Sequence, residues 1–193
     1  MQKPATTEVP IDQLISNRWS PRAFNSEFVI DKKSILSLFE AARWAPSCYG
    51  DQPWKFILFQ KEDITPWVSA LNCLSVGNQN WAMDASILIV VCANKLFAHN
   101  NEPNRWSQYD TGASAENICL QALSLGFAAH QMGGFDEIKI RNLSNIPEQF
   151  DILSVIAVGK PLDEGVFSQE QKDRELLPRK RKLLNDIYSN NKW

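Results

Sequence analysis

Two short, strongly apolar runs limit the folds open to this chain more than any other feature. "ILIVVCA" covers 87–93 and "ILSVIAV" covers 152–158. Both are too short to cross a bilayer, and their β-branched residues are typical of strands buried on both faces. "WKFILF" at 54–59 indicates a further strand. Since helical patterns separate these runs, we predict a sheet flanked by helices, of the α/β or α+β class.

The segments between the strands show helical or loop patterns. We predict helices over 10–17 and from Asp31, whose side chain can cap a first turn, and a mixture of helix and loop over 64–82. A helix over 111–126 is apolar on so much of its circumference that we predict burial on more than one side. The polar, turn-rich stretch 95–110 is predicted to be a binding loop or lid.

Length and charge favour a single domain over 1–193 that binds neither nucleic acid nor membrane. The formal net charge is −2, so no global field attracts polyanions. The amino end has no signal-peptide pattern and no run spans a bilayer, so we expect a cytoplasmic protein. Four scattered cysteines are predicted to be reduced thiols, and two isolated histidines form no metal motif. No G-x-G-x-x-G, Walker A or G-x-S-x-G motif is present, so a separate dinucleotide domain is not expected.

Arginines near both chain ends predict a site for an anion. "NRWSPRAF" places Arg18, Ser20 and Arg22 two residues apart, so an extended backbone points all three side chains to one face. Two guanidiniums and a hydroxyl suit a phosphate or an anionic ring. "PRKRK" supplies Arg179 and Arg181 at the same spacing, although alone it is more simply a solvated basic tail.

Two further segments are compatible either with binding a flat ligand or with a purely structural role. "RWAPSCYGDQPWKF" at 43–56 combines two prolines, a glycine and two tryptophans between a helical and a strand pattern. It either packs beneath the core or forms a wall against a flat aromatic ligand. Gly133 and Gly134 follow the buried helix and allow a backbone amide to approach a ligand closely, whereas a plain turn there needs no ligand.

Seven segments in a fixed order resemble the nitroreductase family of flavin enzymes. They are "NRWSPRAF", "ARWAPSCYGDQPWKF", "NQNWAMDASILIVVCA", "YDTGASAENICLQALSLGF", "MGGFD", "VIAVGKP" and "PRKRKLL". Each is weak alone, but the ordered set extends over nearly the whole chain. The resemblance implies an α+β fold with a central, mainly antiparallel sheet flanked by helices. It also implies an intertwined homodimer with two FMN sites at the subunit interface.

The resemblance assigns many of these residues to the flavin. Arg18, Arg179 and Arg181 would lie near the phosphate, and Arg22 near the N1/O2 edge of the ring. The segment 46–48 would come from the partner subunit and pack against the ring, and the paired glycines would face N5 and O4. The positions assigned to the cofactor are Arg18, Trp19, Ser20, Arg22, Pro46, Ser47, Cys48, Gly50, Asn78, Gln131, Met132, Gly133, Gly134, Arg179 and Arg181.

Two positions depart from the common family pattern. Gly50 stands where many relatives have asparagine, and Trp81 stands where some have lysine. The missing lysine would leave Arg22 as the main cation at the N1/O2 edge. Trp81 is therefore a candidate for shaping the substrate entrance, with core packing as the alternative. The candidate substrate-lining residues are Trp81, Phe97, Trp106 and Tyr109.

The function that the resemblance implies is an FMN-dependent oxidoreductase. Hydride would pass from NADH or NADPH through flavin N5 to an electron-poor small molecule, such as a nitroaromatic or a quinone. One shared site would give ping-pong kinetics, and the flavin rather than a side chain would carry the chemistry. A flavin-storage or sensing protein and a flavin-fragmenting or dehalogenating enzyme are the alternatives. The sequence leaves open the acceptor and the choice between NADH and NADPH.

Overall fold

A four-stranded sheet forms the centre of this computed structural model, which describes residues 3–193. The strands are β1 (Trp54–Gln60), β2 (Ile87–Asn94), β3 (Ala128–Met132) and β4 (Phe150–Gly159). They lie in the order β1-β2-β4-β3, and every neighbouring pair is antiparallel. The predicted α+β class with a central antiparallel sheet is therefore confirmed.

Helices flank the sheet and begin at residues that can cap them. Asp31 accepts from the Ser34 N–H and caps the second helix, as predicted. The first helix begins at Gln13 rather than at residue 10, because Asp12 caps it by accepting from the Leu14 N–H. The α-helices are α1 (Gln13–Asn17), α2 (Lys32–Arg43), α3 (Ile64–Leu71), α4 (Val76–Ala82), α5 (Ser107–Ser124), α6 (Glu137–Ser144) and α7 (Gln169–Glu175).

Each face of the sheet has its own apolar core. Alternate residues of β2 point to opposite faces, so Leu88 and Val90 pack in one cluster with Trp67 of α3. Ile89 packs on the other face, in a cluster with Ile118 of α5. Burial on both faces explains why β2 reads as one continuous apolar run.

Three features of the fold differ from the prediction. The stretch after α5, for which no strand was predicted, contains strand β3, which pairs with β4 alone at the edge of the sheet. α5 begins at Ser107, so the predicted loop is limited to 95–106. Within that loop, Leu96 pairs with Pro103 in an isolated bridge, which gives the loop internal order. α6 was not predicted, because Ile140 is its one buried residue.

Candidate functional site

Arginines from the two ends of the chain lie beside each other. The Arg179 guanidinium is half-buried, and its Nη1 donates to the carbonyl oxygens of Lys3 at 2.8 Å and Ser16 at 2.6 Å. Burial, followed by the positive charges of Arg18 and Arg181, lowers the pKa of Arg179. Arg179 therefore lies against the segment that carries Arg18, and an anion bound beside these cations would relieve the repulsion between them.

Arg18 is oriented by an acidic residue of α5. Its Nε lies 3.2 Å from Glu116 Oε1, and its Nη1 donates to Ser20 Oγ at 3.3 Å. Glu116 Oε2 also accepts from Gln131 Nε2 at 3.4 Å, so one carboxylate connects Arg18 to the end of β3. Arg22 differs, because its side chain is exposed and its guanidinium forms no hydrogen bond or ion pair with the rest of the described chain. Its charge is available to a ligand.

The glycine pair after β3 has one open and one packed member. A Cβ built on Gly133 would meet no atom within 4 Å, so a ligand can approach this backbone. A Cβ on Gly134 would lie 2.8 Å from Ser75 Oγ and 2.9 Å from Asn78 Nδ2. The Gly134 carbonyl accepts from the Ser75 N–H at 2.9 Å and from Asn78 Nδ2 at 3.0 Å. Asn78 thus holds the turn, and Gly133 is the better placed glycine for ligand contact.

The proline-containing segment after α2 is constrained and lies at the surface. The Cys48 N–H donates to Oδ2 of buried Asp110 at 2.9 Å, which ties the segment to the first turn of α5. Tyr49 and Gln52 have φ of 55° and 52°, left-handed values that are uncommon for non-glycine residues. Pro46 and Tyr49 are exposed. An ordered, exposed segment of this kind fits a ligand wall better than a loop packed beneath the core.

The backbone conformation at Gly50 accounts for a glycine at this position. Its φ is 69°, a left-handed conformation that glycine adopts without strain. Asparagine, which the resemblance led us to expect there, is a side-chain-bearing residue that readily takes the same conformation. The change from asparagine to glycine therefore retains the backbone of the segment.

Two aromatic groups lie on the 95–106 loop and at the start of α5. Phe97 packs edge-on against Tyr49, with ring centroids 6.0 Å apart, and lies 5.3 Å from His99. Trp106 and Tyr109 form the second group, with centroids 6.5 Å apart, and both rings are exposed. The substrate-lining role of Phe97, Trp106 and Tyr109 stays a prediction, and Tyr49 joins them as a residue that the sequence interpretation did not single out.

The side chains of Trp81 and Met132 lie in the core. This corrects the predicted entrance-lining role of Trp81, whereas the assignment of Met132 to the cofactor stays a prediction that its backbone alone could satisfy. Trp81 is 4 % exposed, and its ring lies 6.2 Å from Phe24 and 4.5 Å from His130. Met132 is 2 % exposed and belongs to the same apolar cluster. Side chains this buried do not line an entrance or cover a ligand. Packing, the alternative considered for Trp81, is the role that its contacts support.

Asp51 was missed by the sequence interpretation and organises the loop beside the candidate wall. Its side chain is 3 % exposed. Oδ1 accepts from the Ala98 N–H at 2.8 Å, and Oδ2 accepts from Asn104 Nδ2 at 3.3 Å. Nothing in the sequence marks this residue, because an aspartate in a polar stretch is most often solvated. Asp51 therefore fixes the 95–106 loop to the constrained segment.

The four cysteines, all free thiols as predicted, differ in accessibility. Burial raises the pKa of Cys73, and it raises the pKa of Cys92 to about 11 and that of Cys119 to about 12. Cys48 is partly exposed. We expect a thiol reagent at neutral pH to label Cys48 first, at one thiol per folded chain counted by mass spectrometry. Cys48→Ser should remove the fast label, and rapid labelling of a second thiol in the parent would contradict this order.

Neither a metal centre nor a membrane-spanning helix is found in the described part of the chain. Residues 3–193 contain no group of three or more His, Cys, Asp or Glu side chains placed to hold a metal ion. No helix in this range has both the length and the apolar character needed to span a bilayer.

The fold is of the α+β class, and arginines from both ends of the chain lie on one side of it. The Nitroreductase family matches residues 15–160, which is most of the chain. The chain therefore belongs to the nitroreductase family, and it is an oxidoreductase of that family.

Relatives match over most of the chain. The oxygen-insensitive NADPH nitroreductase of Helicobacter pylori strain J99 is 32% identical over 190 residues, covering 79% of this chain and 88% of the relative. The protein of the same name from Helicobacter acinonychis is 26% identical over 188 residues, with coverages of 79% and 88%. A solved structure of an oxidoreductase containing FMN is 33% identical, with a TM-score of 0.89 over 97% of this chain and 95% of that chain. These similarities confirm the nitroreductase fold.

Proposed function

We propose that this chain binds FMN and acts as an NAD(P)H-dependent oxidoreductase on electron-poor acceptors such as nitroaromatics or quinones. The observation that carries the proposal is the contact between the two chain ends: Arg179 Nη1 donates to the Ser16 carbonyl at 2.6 Å, two residues before Arg18, and clustered guanidiniums suit a phosphate. The relative that contains FMN and the relatives named as NADPH nitroreductases support the choice of cofactor and reductant.

The residues present suit the chemical parts of FMN. The phosphate needs cations and hydrogen-bond donors, which the arginine cluster offers. The flat ring needs an accessible backbone and a rigid wall. Gly133 is open, and the Cys48–Asp110 hydrogen bond constrains the wall segment. The N1/O2 edge of the ring needs a positive charge, and the exposed Arg22 guanidinium can provide one.

The chain's part in the reaction is to bind, orient and exclude water. When bound, FMN would supply the hydride-transfer chemistry that links NAD(P)H to the acceptor. Arg22 would place a positive charge beside the ring edge, and Gly133 would present its backbone to the ring. Phe97 and Trp106 would shield the open face where reductant and acceptor alternate, an arrangement that gives ping-pong kinetics. No side chain is needed as an acid or base, since solvent can supply the proton.

We also infer that two copies of the chain form a homodimer. The wall segment of one subunit and the arginines of the other would then contact the same FMN. A monomeric globular protein of 21.9 kDa exposes about 9,300 Å², whereas this chain exposes 11797 Å². Part of the excess lies on the apolar carboxyl-end segment, where Leu176, Leu177, Leu183 and Ile187 are all exposed. Apolar surface of this extent supports burial against a second copy.

The absorption spectrum of the purified protein tests the proposed function. We expect bound flavin that NADH or NADPH bleaches without oxygen and that a nitroaromatic or quinone re-oxidises. Folded protein that fails to bind saturating FMN would overturn the proposal. Bound flavin reduced no faster than free FMN would indicate a storage or sensing protein. Cleaved flavin among the products would indicate a fragmenting enzyme.

Arg22→Ala is expected to lower the reduction potential of the bound flavin. Reduction places negative charge near N1 and O2, and a nearby cation stabilises that charge. A loss of about 30 mV corresponds to ~1.4 kcal/mol for a two-electron couple. Potentials are compared by equilibration with a reference dye, with Arg22→Lys as the charge-retaining control. A potential equal to that of the parent would remove Arg22 from this role.

A further inference from the structure

The peptide between Pro21 and Arg22 is held at both of its polar atoms. Its carbonyl oxygen lies 2.9 Å from His130 Nδ1, and its N–H donates to the two carboxylate oxygens of Glu175 at 3.2 and 3.3 Å. Burial lowers the pKa of His130 from its ordinary 6.5, so the ring is neutral at neutral pH. Since a carbonyl only accepts, the single ring proton lies on Nδ1 and is donated to Pro21.

The two residues that hold this peptide are themselves fixed. Glu175 is 2 % exposed at the end of α7, and its Oε1 accepts from Arg174 Nε at 3.1 Å. The Glu175 carbonyl accepts from Lys3 Nζ at 2.5 Å. The His130 ring, on β3, packs 4.5 Å from the buried Trp81 ring. A buried carboxylate is costly unless it is hydrogen-bonded and paired, so these contacts define one arrangement of the Pro21–Arg22 peptide.

We propose that Glu175 and His130 are positioning residues for flavin binding, acting through the Pro21–Arg22 peptide to set the direction of the Arg22 side chain. The proposal rests on the proposed FMN function and extends it to residues that do not touch the ligand. Glu175 also precedes Arg179 by a short segment of the same chain end. One buried carboxylate therefore joins the segment that carries the carboxyl-end arginines to the segment that carries the amino-end arginines.

Amide exchange and flavin titration of Glu175→Ala test the proposal. In the apoprotein, we expect the Arg22 amide to exchange roughly tenfold faster, because its acceptor is lost. We expect the dissociation constant of FMN to rise roughly tenfold, the effect of losing one hydrogen bond to a charged group. Glu170→Ala is the matched control. It removes an exposed carboxylate from the same helix, 3.9 Å from the same Arg174, and should change neither quantity.

A double-mutant cycle separates positioning from general stabilisation. Arg22→Ala removes the guanidinium but retains the backbone N–H that donates a hydrogen bond to Glu175. If Glu175 acts through Arg22, its substitution should weaken FMN binding in the parent and have little further effect in the Arg22→Ala background. Glu175→Leu keeps most of the side-chain volume, has no oxygen to accept from the Arg22 N–H, and carries the same cycle where Glu175→Ala does not fold. Additive effects on the FMN dissociation constant would overturn the proposal.

The histidine is tested by removing its donor while keeping its ring. His130→Phe retains an aromatic surface for Trp81 but has no Nδ1 proton for Pro21. We expect weaker FMN binding, again with little further loss in the Arg22→Ala background. FMN affinity that is unchanged in His130→Phe would remove this residue from the proposal.

The experiments distinguish a failure of the proposed FMN function from a failure of the positioning role of Glu175 and His130. A folded parent that does not bind FMN overturns the proposed function, and the exchange rate of the Arg22 amide then decides by itself whether Glu175 holds this peptide. A parent that binds FMN, together with Glu175 variants that bind it equally well, overturns the positioning role and leaves the proposed function intact. An Arg22 amide that exchanges at the parental rate in Glu175→Ala also overturns the positioning role.

Discussion

Trp81→Ala is expected to lower the free energy of unfolding by about 3–5 kcal/mol, the usual cost of deleting a large buried aromatic side chain. The ring is 4 % exposed and packs between Phe24 and His130. Its loss would leave a cavity against the sheet, and the surrounding side chains relax only partly into such a space. Urea unfolding followed by circular dichroism measures the change, with an unaltered dependence on urea concentration expected if only stability has changed.

Trp106→Ala is the matched control for this substitution. It removes the same side chain from an exposed position, where Arg105 lies over the ring at 4.6 Å. Its effect on the free energy of unfolding should stay within about 0.5 kcal/mol, as for most surface changes. A Trp81→Ala protein of parental stability but altered KM for the acceptor would contradict the packing role and restore the substrate role predicted from the sequence.

Three strands were predictable from their apolar sequences, and one edge strand was missed. β2 is buried over nearly its whole length, β4 is buried over 155–159, and the edge strand β1 is rich in strand-forming residues. β3 lies at the edge, pairs with β4 alone, and carries half-buried His130 and exposed Gln131. Because these residues are polar, β3 has no apolar run, and strands were predicted from such runs.

The start of α5 was missed because its buried face is polar. Ser107, Asp110 and Ser114 are all buried, yet none contributes to a hydrophobic repeat. Asp110 accepts from the Cys48 N–H, and Ser114 Oγ donates to the Ala42 carbonyl at 2.9 Å. The partners of these side chains come from distant parts of the chain, so hydropathy could not mark the first turns of the helix.

The sequence could predict those site residues whose side-chain type indicates the ligand, such as arginines for an anion. The alternate spacing of Arg18 and Arg22 predicted an anion site, and the structure brings Arg179 against the Ser16 carbonyl, two residues before Arg18. Glu175 could not be predicted, because its role depends on a contact with the Arg22 N–H, 153 positions away. A glutamate in a charged segment is normally solvated, and the folded chain alone shows that this one is buried.

Arg181→Ala is expected to raise the dissociation constant of FMN by about 10- to 100-fold, the effect of losing a charge-assisted hydrogen bond of ~1.5–3 kcal/mol. Arg181 is exposed, and its Nη1 donates to the carbonyl of the adjacent Lys180. The fold therefore depends little on this side chain. Arg179 is less suitable for the test, because it donates to Lys3 and Ser16 and its removal would disturb the chain ends as well as the ligand. Fluorescence titration of the apoprotein with FMN measures the change.

Lys182→Ala is the control that separates a phosphate contact from general charge. It removes one positive charge from the same exposed segment and should alter FMN affinity by less than about threefold at moderate ionic strength. Riboflavin, which lacks the phosphate, should bind the parent and Arg181→Ala equally, because the contact at issue is absent from both complexes. Equal losses of FMN affinity in the two variants would show that Arg181 acts only through long-range charge and does not contact the phosphate. A parental affinity in Arg181→Ala would remove this residue from the phosphate site and leave Arg18 and Arg179 as its remaining cations.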